Sequence, residues 1–202
     1  MARPLRIKTH WFKVEQAREP AEIASALAAT VWRTASHRVA NLRQQRFDVE
    51  VGAPYVAMTA EILCFLVVVA DRIAYRHDPG GWRTAFTTAL TLKIAELMGD
   101  NFDDLLGPTA DGGFRARFIE HMNRRADEYA DCPYAEDGPS FAMLRYFGEL
   151  VEAVTASEAD RRWAQDQAIT VEGPEAVDVI ERAMRGLLGI DPKPKRSPLT
   201  GD

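Results

Sequence analysis

Apolar residues recur at helical spacing along most of the chain, and the first helix they predict begins at Pro20. The members of its apolar stripe lie three or four residues apart: Ile23, Leu27, Val31, Ala35, Val39 and Leu42. Because residues three and four apart share one face of a helix, the stripe predicts an amphipathic helix that runs into the mid-forties. Proline is favoured in a first helical turn, which supports the start at Pro20.

The second predicted helix, from about Pro54 to His77, is apolar on all sides at its centre, between Ile62 and Ala70. A helix without a polar face is surrounded by neighbours, so this segment is predicted to form the middle of the fold. Glu61 and Asp71 flank the apolar run and leave it shorter than the about 20 residues that cross a membrane. The sequence therefore predicts a buried core helix and no membrane association.

Further helices are predicted between breaks that contain glycine or proline. Gly99 is expected to end the third helix, which starts near Trp82, and a separate helical turn is expected at 101–106. Ser140 is a predicted N-cap of the fifth helix, and the Gly173-Pro174 pair is expected to separate the last two helices. The later apolar stripes are centred on Phe114 to Tyr129, Leu144 to Val154, Trp163, and Val177 to Leu187.

These patterns predict an all-α fold, a single domain of six or seven helices packed as a bundle or an orthogonal array around the helix at about 54–77. The predicted organisation is a basic N-terminal segment over residues 1–18, a helical domain over residues 19–190 and a disordered tail over residues 191–202. The tail is rich in proline and charge, which is typical of a segment without a core.

Charge and composition change this picture little. The 202 residues are 47% hydrophobic and 27% charged, as in ordinary folded proteins, and the net charge is −5. The first 46 residues hold nine lysines and arginines against three acidic residues, a basic start that suits an anionic partner or the acidic remainder of the chain. The overall charge argues against nucleic acid, and residues 20–47 contain no glycine that would mark the turn of a helix-turn-helix motif.

The cysteines and the N-terminus predict a cytoplasmic protein. Cys64 and Cys132 are far apart and do not form a secreted disulfide framework. The basic start is not followed by an apolar run, so it does not resemble a signal peptide.

No cofactor or metal site is predicted. A di-metal helical bundle needs Glu-x-x-His on two helices, and none of the four histidines has an acidic residue three positions before it. The acidic stretch from Glu96 to Asp111 lacks calcium-loop spacing and is predicted to lie at a helix N-terminus.

The strongest candidate for a polar site is the charged set on the apolar second helix: Glu61, Asp71 and Arg72. At 1.5 Å per residue, Glu61 and Arg72 lie about 16 Å apart along the helix, too far to pair directly. A buried Glu61 needs a cationic partner from another helix or a raised pKa, and the candidate partners are Arg124, Arg125 and Arg145. The alternative is a structural ion pair that orients the helices.

Arg124 and Glu128 on the fourth helix are the remaining candidate binding residues. Glu120 and Arg124, and Arg124 and Glu128, are four apart and are predicted to pair along the helix surface. The alternative is a solvated face.

The function predicted first is that of a non-enzymatic helical domain that works through protein–protein contacts, with a homodimer and a protein partner expected. Apolar helices and the aromatic residues Trp11, Phe12 and Trp82, predicted to be exposed, favour it. The alternative is a small-molecule binding protein or enzyme with a polar site around Glu61, Asp71 and Arg72. A DNA-linked regulator is a third, weaker prediction.

Overall fold

The computed structural model describes residues 19–44, 52–107 and 112–190, and within them almost all of the backbone is helical. The predicted N-terminal segment and tail, including Trp11 and Phe12, lie outside the described residues. The α-helices, in chain order, are α1 (Pro20–Gln44), α2 (Ala53–His77), α3 (Gly81–Leu106), α4 (Gly113–Tyr129), α5 (Phe141–Val154), α6 (Glu158–Gln167) and α7 (Gly173–Leu188). This confirms the all-α fold and the predicted number of helices.

Helix α2 is the central helix, as predicted. It packs against α1, α3, α4, α5 and α7, and its residues from Met58 to Ala70 are all buried. By length and composition α2 is also apolar enough to cross a membrane, but 72% of its most apolar 18-residue window is buried inside the fold. Contacts with five other helices account for its apolar sequence.

Helix α3 continues through Gly99, so the predicted end there and the separate turn at 101–106 are wrong. Gly99 is buried, and a Cβ atom at this position would lie 3.4 Å from Cβ of Arg115 on α4. The glycine serves the close approach of two helices, which outweighs its low helix propensity. Four residues further on, Oδ1 of Asp103 accepts a hydrogen bond from the backbone N–H of Phe114 at 3.4 Å, in the first turn of α4.

Two other local predictions are settled by side-chain contacts. Ser140 caps α5, because its hydroxyl accepts from the backbone N–H of Met143 at 3.2 Å. Trp82 is half-buried rather than exposed, since its ring stacks on Phe86 with centroids 5.3 Å apart. Between α4 and α5, β1 (Tyr134–Ala135) and β2 (Gly138–Pro139) form a short antiparallel hairpin.

Helices α6 and α7 are joined without a break by a π-helical turn, Ala168–Glu172, so the predicted separation at Gly173-Pro174 is wrong. Proline has no backbone N–H and its ring clashes with the carbonyl four residues back in an α-helix. The wider π turn just before Pro174 accommodates both effects. A Cβ atom on Gly173 would lie only 2.8 Å from the carbonyl oxygen of Ala168.

The π turn also carries a buried acid, Glu172, that connects α1 to the segment between α6 and α7. Arg38 on α1 donates from Nη1 to Oε2 of Glu172 at 3.1 Å, and the two side chains are 8% and 3% exposed. Asn41 and Gln167 donate to the same carboxylate at 3.3 Å each. The buried carboxylate is therefore met by an opposite charge and by two further hydrogen-bond donors.

We expect Gly173→Ala to lower the free energy of unfolding by about 1–3 kcal/mol, because the new methyl group collides with a backbone carbonyl that has no room to move. The matched control is Gly186→Ala on α7, where a Cβ atom meets nothing within 4 Å. That change should stabilise the helix by about 0.5–1 kcal/mol. Urea unfolding of both variants measures the difference, and equal midpoints would contradict the packing described for Gly173.

Candidate functional site

Glu61 is the most completely buried charged residue of α2, with 2% of its surface exposed. Its neighbours Ala60 and Ile62 are apolar and buried as well. An unpaired carboxylate at such a position would be strongly unfavourable, so the fold has to supply a cation.

Arg125 of α4 supplies it. Its Nε donates to Oε2 of Glu61 at 2.8 Å, and its Nη2 donates to Oε1 at 2.6 Å. This fork-shaped contact uses both carboxylate oxygens and fixes the rotation of α4 relative to α2. The hydrogen bonds to Glu61 hold the pKa of Arg125 above its ordinary value. Of the three arginines predicted as partners, the structure selects Arg125.

The pair is ionised over the whole neutral range. Burial raises the pKa of Glu61, but the hydrogen bonds and charge of Arg125, with the nearby His121 acting in the same direction, outweigh burial and hold that pKa below its ordinary value. Glu61 therefore does not have the raised pKa that was the other option for this buried carboxyl group. It keeps its negative charge, and Arg125 compensates that charge.

Glu128 joins the same network from the next turn of α4. Its Oε2 accepts from Nη1 of Arg125 at 2.5 Å and from the hydroxyl of Tyr146 on α5 at 2.7 Å. Burial raises the pKa of Tyr146 to about 12, with the hydrogen bond to Glu128 acting in the same direction. Glu128 pairs with Arg125 rather than with Arg124, so the predicted Arg124–Glu128 pair is not formed.

His121 lies on the other side of Glu61, beside Arg124. Nη2 of Arg124 donates to Nδ1 of His121 at 2.9 Å. Because a guanidinium group only donates, Nδ1 is the acceptor and the ring proton is on Nε2. That Nε2 is buried and lies 3.1 Å from Oε1 of Glu61, but it is not directed for a hydrogen bond to it. The ring therefore holds its N–H beside Glu61 without an aligned hydrogen bond.

A cavity of about 480 Å³ adjoins this network. Its walls come mainly from the first half of α2 and from one face of α4, with contributions from α3 and the end of α5. The apolar lining consists of Ala53, Val56, Ala57, Ala60, Met98, Phe114, Phe118 and Val154, and the polar lining of Glu61, Arg117, Glu120, His121 and Arg124.

The cavity exists because the facing residues of α2 are small. Ala53, Ala57 and Ala60 are three or four apart and form a shallow face of the helix, opposite the larger rings of Phe114 and Phe118. Arg117, Glu120 and Arg124 are largely exposed and form the rim. Glu61 and His121 lie deeper, so the lining becomes more polar toward one end.

The other two residues predicted on α2 are not part of this site. Asp71 accepts from Nε and Nη2 of Arg83, at 2.9 and 2.6 Å, and from the hydroxyl of Thr87, which ties α2 to α3. Arg72 donates from Nη2 to the carbonyls of Tyr129 and Ala130, at 2.9 and 3.2 Å, and holds the end of α4. The predicted set of Glu61, Asp71 and Arg72 is therefore three separate helix contacts.

The remaining acidic and basic candidates are also accounted for. Arg145 pairs with Glu149 on an exposed face of α5, at 3.3 Å. The acidic residues from Glu96 to Asp104 lie in the second half of α3, not at a helix N-terminus, and Asp111 lies outside the described residues. Glu96 pairs with Lys93 at 2.7 Å. Among the described residues, no three or more His, Cys, Asp or Glu side chains are arranged to hold a metal ion.

Sequence reasoning missed His121, Arg117 and the cavity itself. The available signal was the spacing of Phe114, Arg117, His121 and Arg124, which places them on one face of α4. Alanines on α2 carry no chemical signal, so the space they leave is visible only when the two helices are placed side by side.

No protein-family model, curated protein or solved structure matches the chain.

We expect Glu61→Gln to destabilise the protein by about 1–3 kcal/mol at pH 7, because it removes one of the two carboxylates that pair with the half-buried Arg125 and leaves Glu128 as the other. The advantage of the wild type should shrink at acidic pH. The folded pKa of Glu61 lies below the unfolded value of about 4.3, so the contribution is present above that pH and is lost as the pH falls through the folded pKa.

Urea unfolding between neutral and acidic pH measures this difference. Glu149→Gln is the matched control, because it removes one partner of an exposed pair and should cost under about 0.5 kcal/mol. A difference between wild type and Glu61→Gln that stayed constant down to the lowest pH at which both fold would show that Glu61 is not the titrating group.

Proposed function

We propose that the protein binds a small, largely apolar molecule in the cavity between α2 and α4. The observation that carries the proposal is the cavity of about 480 Å³, apolar over most of its wall and polar at one end. Binding sites for small molecules are typically concave, have volumes of roughly 300–1,000 Å³ and combine an apolar wall with a few polar groups.

The walls of the cavity are held rigidly, which favours binding of a defined ligand. The fork between Arg125 and Glu61 ties the polar end of α4 to α2. Asp103 ties the start of α4 to α3, close to Phe114 in the apolar wall. Because the walls of the cavity are already held in place, less of the interaction energy with a ligand is spent on ordering side chains and helices.

We propose binding rather than catalysis because the buried acidic group of the cavity, Glu61, is already paired. Both oxygens of Glu61 accept hydrogen bonds from Arg125, and its pKa lies below the ordinary value. A general base near neutral pH needs a carboxylate with a raised pKa and a free lone pair facing the substrate.

Protein–protein contact remains a second candidate function, and one observation favours it. Phe141 on α5 and Trp163 on α6 are each 70% exposed, on two helices that pack against each other. Large exposed aromatic residues are enriched at protein interfaces. A second copy of the chain is the partner we would test, by sedimentation of the wild type and of Trp163→Ser over a range of concentrations. A species that stays monomeric throughout would remove this candidate.

The binding proposal is tested with N-phenyl-1-naphthylamine, an uncharged dye that fluoresces in apolar sites. We expect the dye to bind the wild type at one site per chain, and we expect Ala57→Phe to weaken binding at least about tenfold, because the ring fills the cavity. The matched control is Ala126→Phe, an exposed position on α4 outside the cavity lining. Native mass spectrometry of the purified protein, in parallel, weighs any ligand retained from the cell.

Circular dichroism and thermal melting establish that both variants are folded. Equal dye binding by the wild type and Ala57→Phe would place the dye elsewhere and contradict the proposal, as would a wild type that does not bind the dye.

A further inference from the structure

We infer that the ligand carries an anionic head, such as a carboxylate, which lies at the polar end of the cavity beside His121 and Arg124, with its apolar body along the alanine face of α2. This inference rests on the proposed binding function and specifies the chemical class of the ligand. Three features of the cavity carry it: its polarity gradient, its hydrogen-bonding groups and its charge.

The buried polar groups of the cavity, Glu61 and His121, lie at one end, whereas Arg117 is on the exposed rim beside Phe114. Helices α2 and α4 meet with Glu61 beside His121 and Arg125, and one turn later Phe65 contacts Tyr129. The two helices therefore run in the same direction, so that Ala53 and Phe114 belong to one end of the cavity and Glu61 and His121 to the other. Eight residues of α2 separate these ends, which is about 12 Å of helix. A ligand that fits this gradient is an amphiphile with one polar head and a short apolar chain.

The polar end offers hydrogen-bond donors that the described groups leave unused, beside an acceptor that is already paired. Nε2 of His121 carries a buried proton without an aligned acceptor among the described residues. Arg124 has five N–H groups and uses Nη2 toward His121. The acceptor described at this depth is Glu61, and each of its oxygens already accepts a hydrogen bond from Arg125. A head group that accepts hydrogen bonds is therefore better matched here than one that only donates.

The charge of the lining also favours an anion. Glu61 is already paired with Arg125, and the cation in contact with His121 is Arg124. Glu120 and Arg124 both stand on the exposed rim, where water screens them, but it is Arg124 that contacts the ring of His121. An ammonium head would be placed beside the cations Arg124 and Arg125, whereas a carboxylate meets Arg124 without breaking an existing pair.

The test compares three compounds that share a ten-carbon chain and differ in the head: decanoate, decan-1-ol and decylamine. Each displaces N-phenyl-1-naphthylamine from the wild type at neutral pH, with all concentrations below micelle formation. We expect decanoate to bind about tenfold or more tightly than decan-1-ol, as a charge-assisted hydrogen bond allows, and decylamine to bind most weakly.

Variants connect this preference to the named residues. Arg124→Gln should bring the affinity for decanoate close to that for decan-1-ol while leaving the affinity for decan-1-ol unchanged, and Arg124→Lys should keep part of the preference. Arg115→Gln is the matched control, because Arg115 is an exposed arginine of α4 that does not line the cavity. It should keep the full preference.

The outcomes separate this inference from the function on which it rests. Equal binding of decanoate and decan-1-ol, or strongest binding of decylamine, would overturn the anionic head and leave a binding cavity. A preference for decanoate that survives Arg124→Gln would also overturn it. If neither the dye nor any of the three compounds binds the wild type, the proposed function and the inference are both wrong.

Discussion

The need to compensate one carboxylate in the most apolar helix governs how this protein is arranged. Glu61 is buried in α2, and the fold meets its charge with the two-pronged contact of Arg125. Because that contact fixes both the distance and the rotation of α4, it also decides which residues of α4 face α2. Phe114, Phe118 and His121 are turned toward the alanines of α2, and the space between them is the cavity.

Buried ion pairs often contribute less stability than well-packed apolar residues of the same size, so their presence calls for another account. Here the pair is part of a chain of contacts that continues through Glu128 to Tyr146 and links three helices. The same carboxylate that orients α4 lies at the polar end of the cavity. If the cavity binds a ligand as proposed, the pair of Glu61 and Arg125 has two roles. It holds α2 and α4 in place as walls of the cavity, and it makes one end of the cavity suited to a polar head.

The sequence was sufficient to predict the helices and the central position of α2, because periodicity and an unbroken apolar run report directly on burial. The apolar run around Glu61 predicted that this carboxylate is buried and needs a cationic partner, and the candidate partners were a few arginines. Only the packing of α4 against α2 shows that the partner is Arg125 and not Arg124. Gly99 and Gly173 were predicted to break helices because local propensity was the only guide. In the structure, a Cβ atom at Gly99 would come close to the neighbouring helix α4, and one at Gly173 would come close to a backbone carbonyl group. These close contacts explain the two glycines. The cavity depends on two helix faces that are far apart in the chain, so no local pattern predicts it.

Hydrogen–deuterium exchange with and without N-phenyl-1-naphthylamine is the most direct measurement of the central claim, that a ligand binds between α2 and α4. The amides of a segment that a ligand stabilises open less often and exchange more slowly. We predict slower exchange in residues 53–61 of α2 and 113–124 of α4, with α6 and α7 unchanged. Protection confined to α5 and α6, or no change in α2 and α4 at saturating dye, would contradict the account.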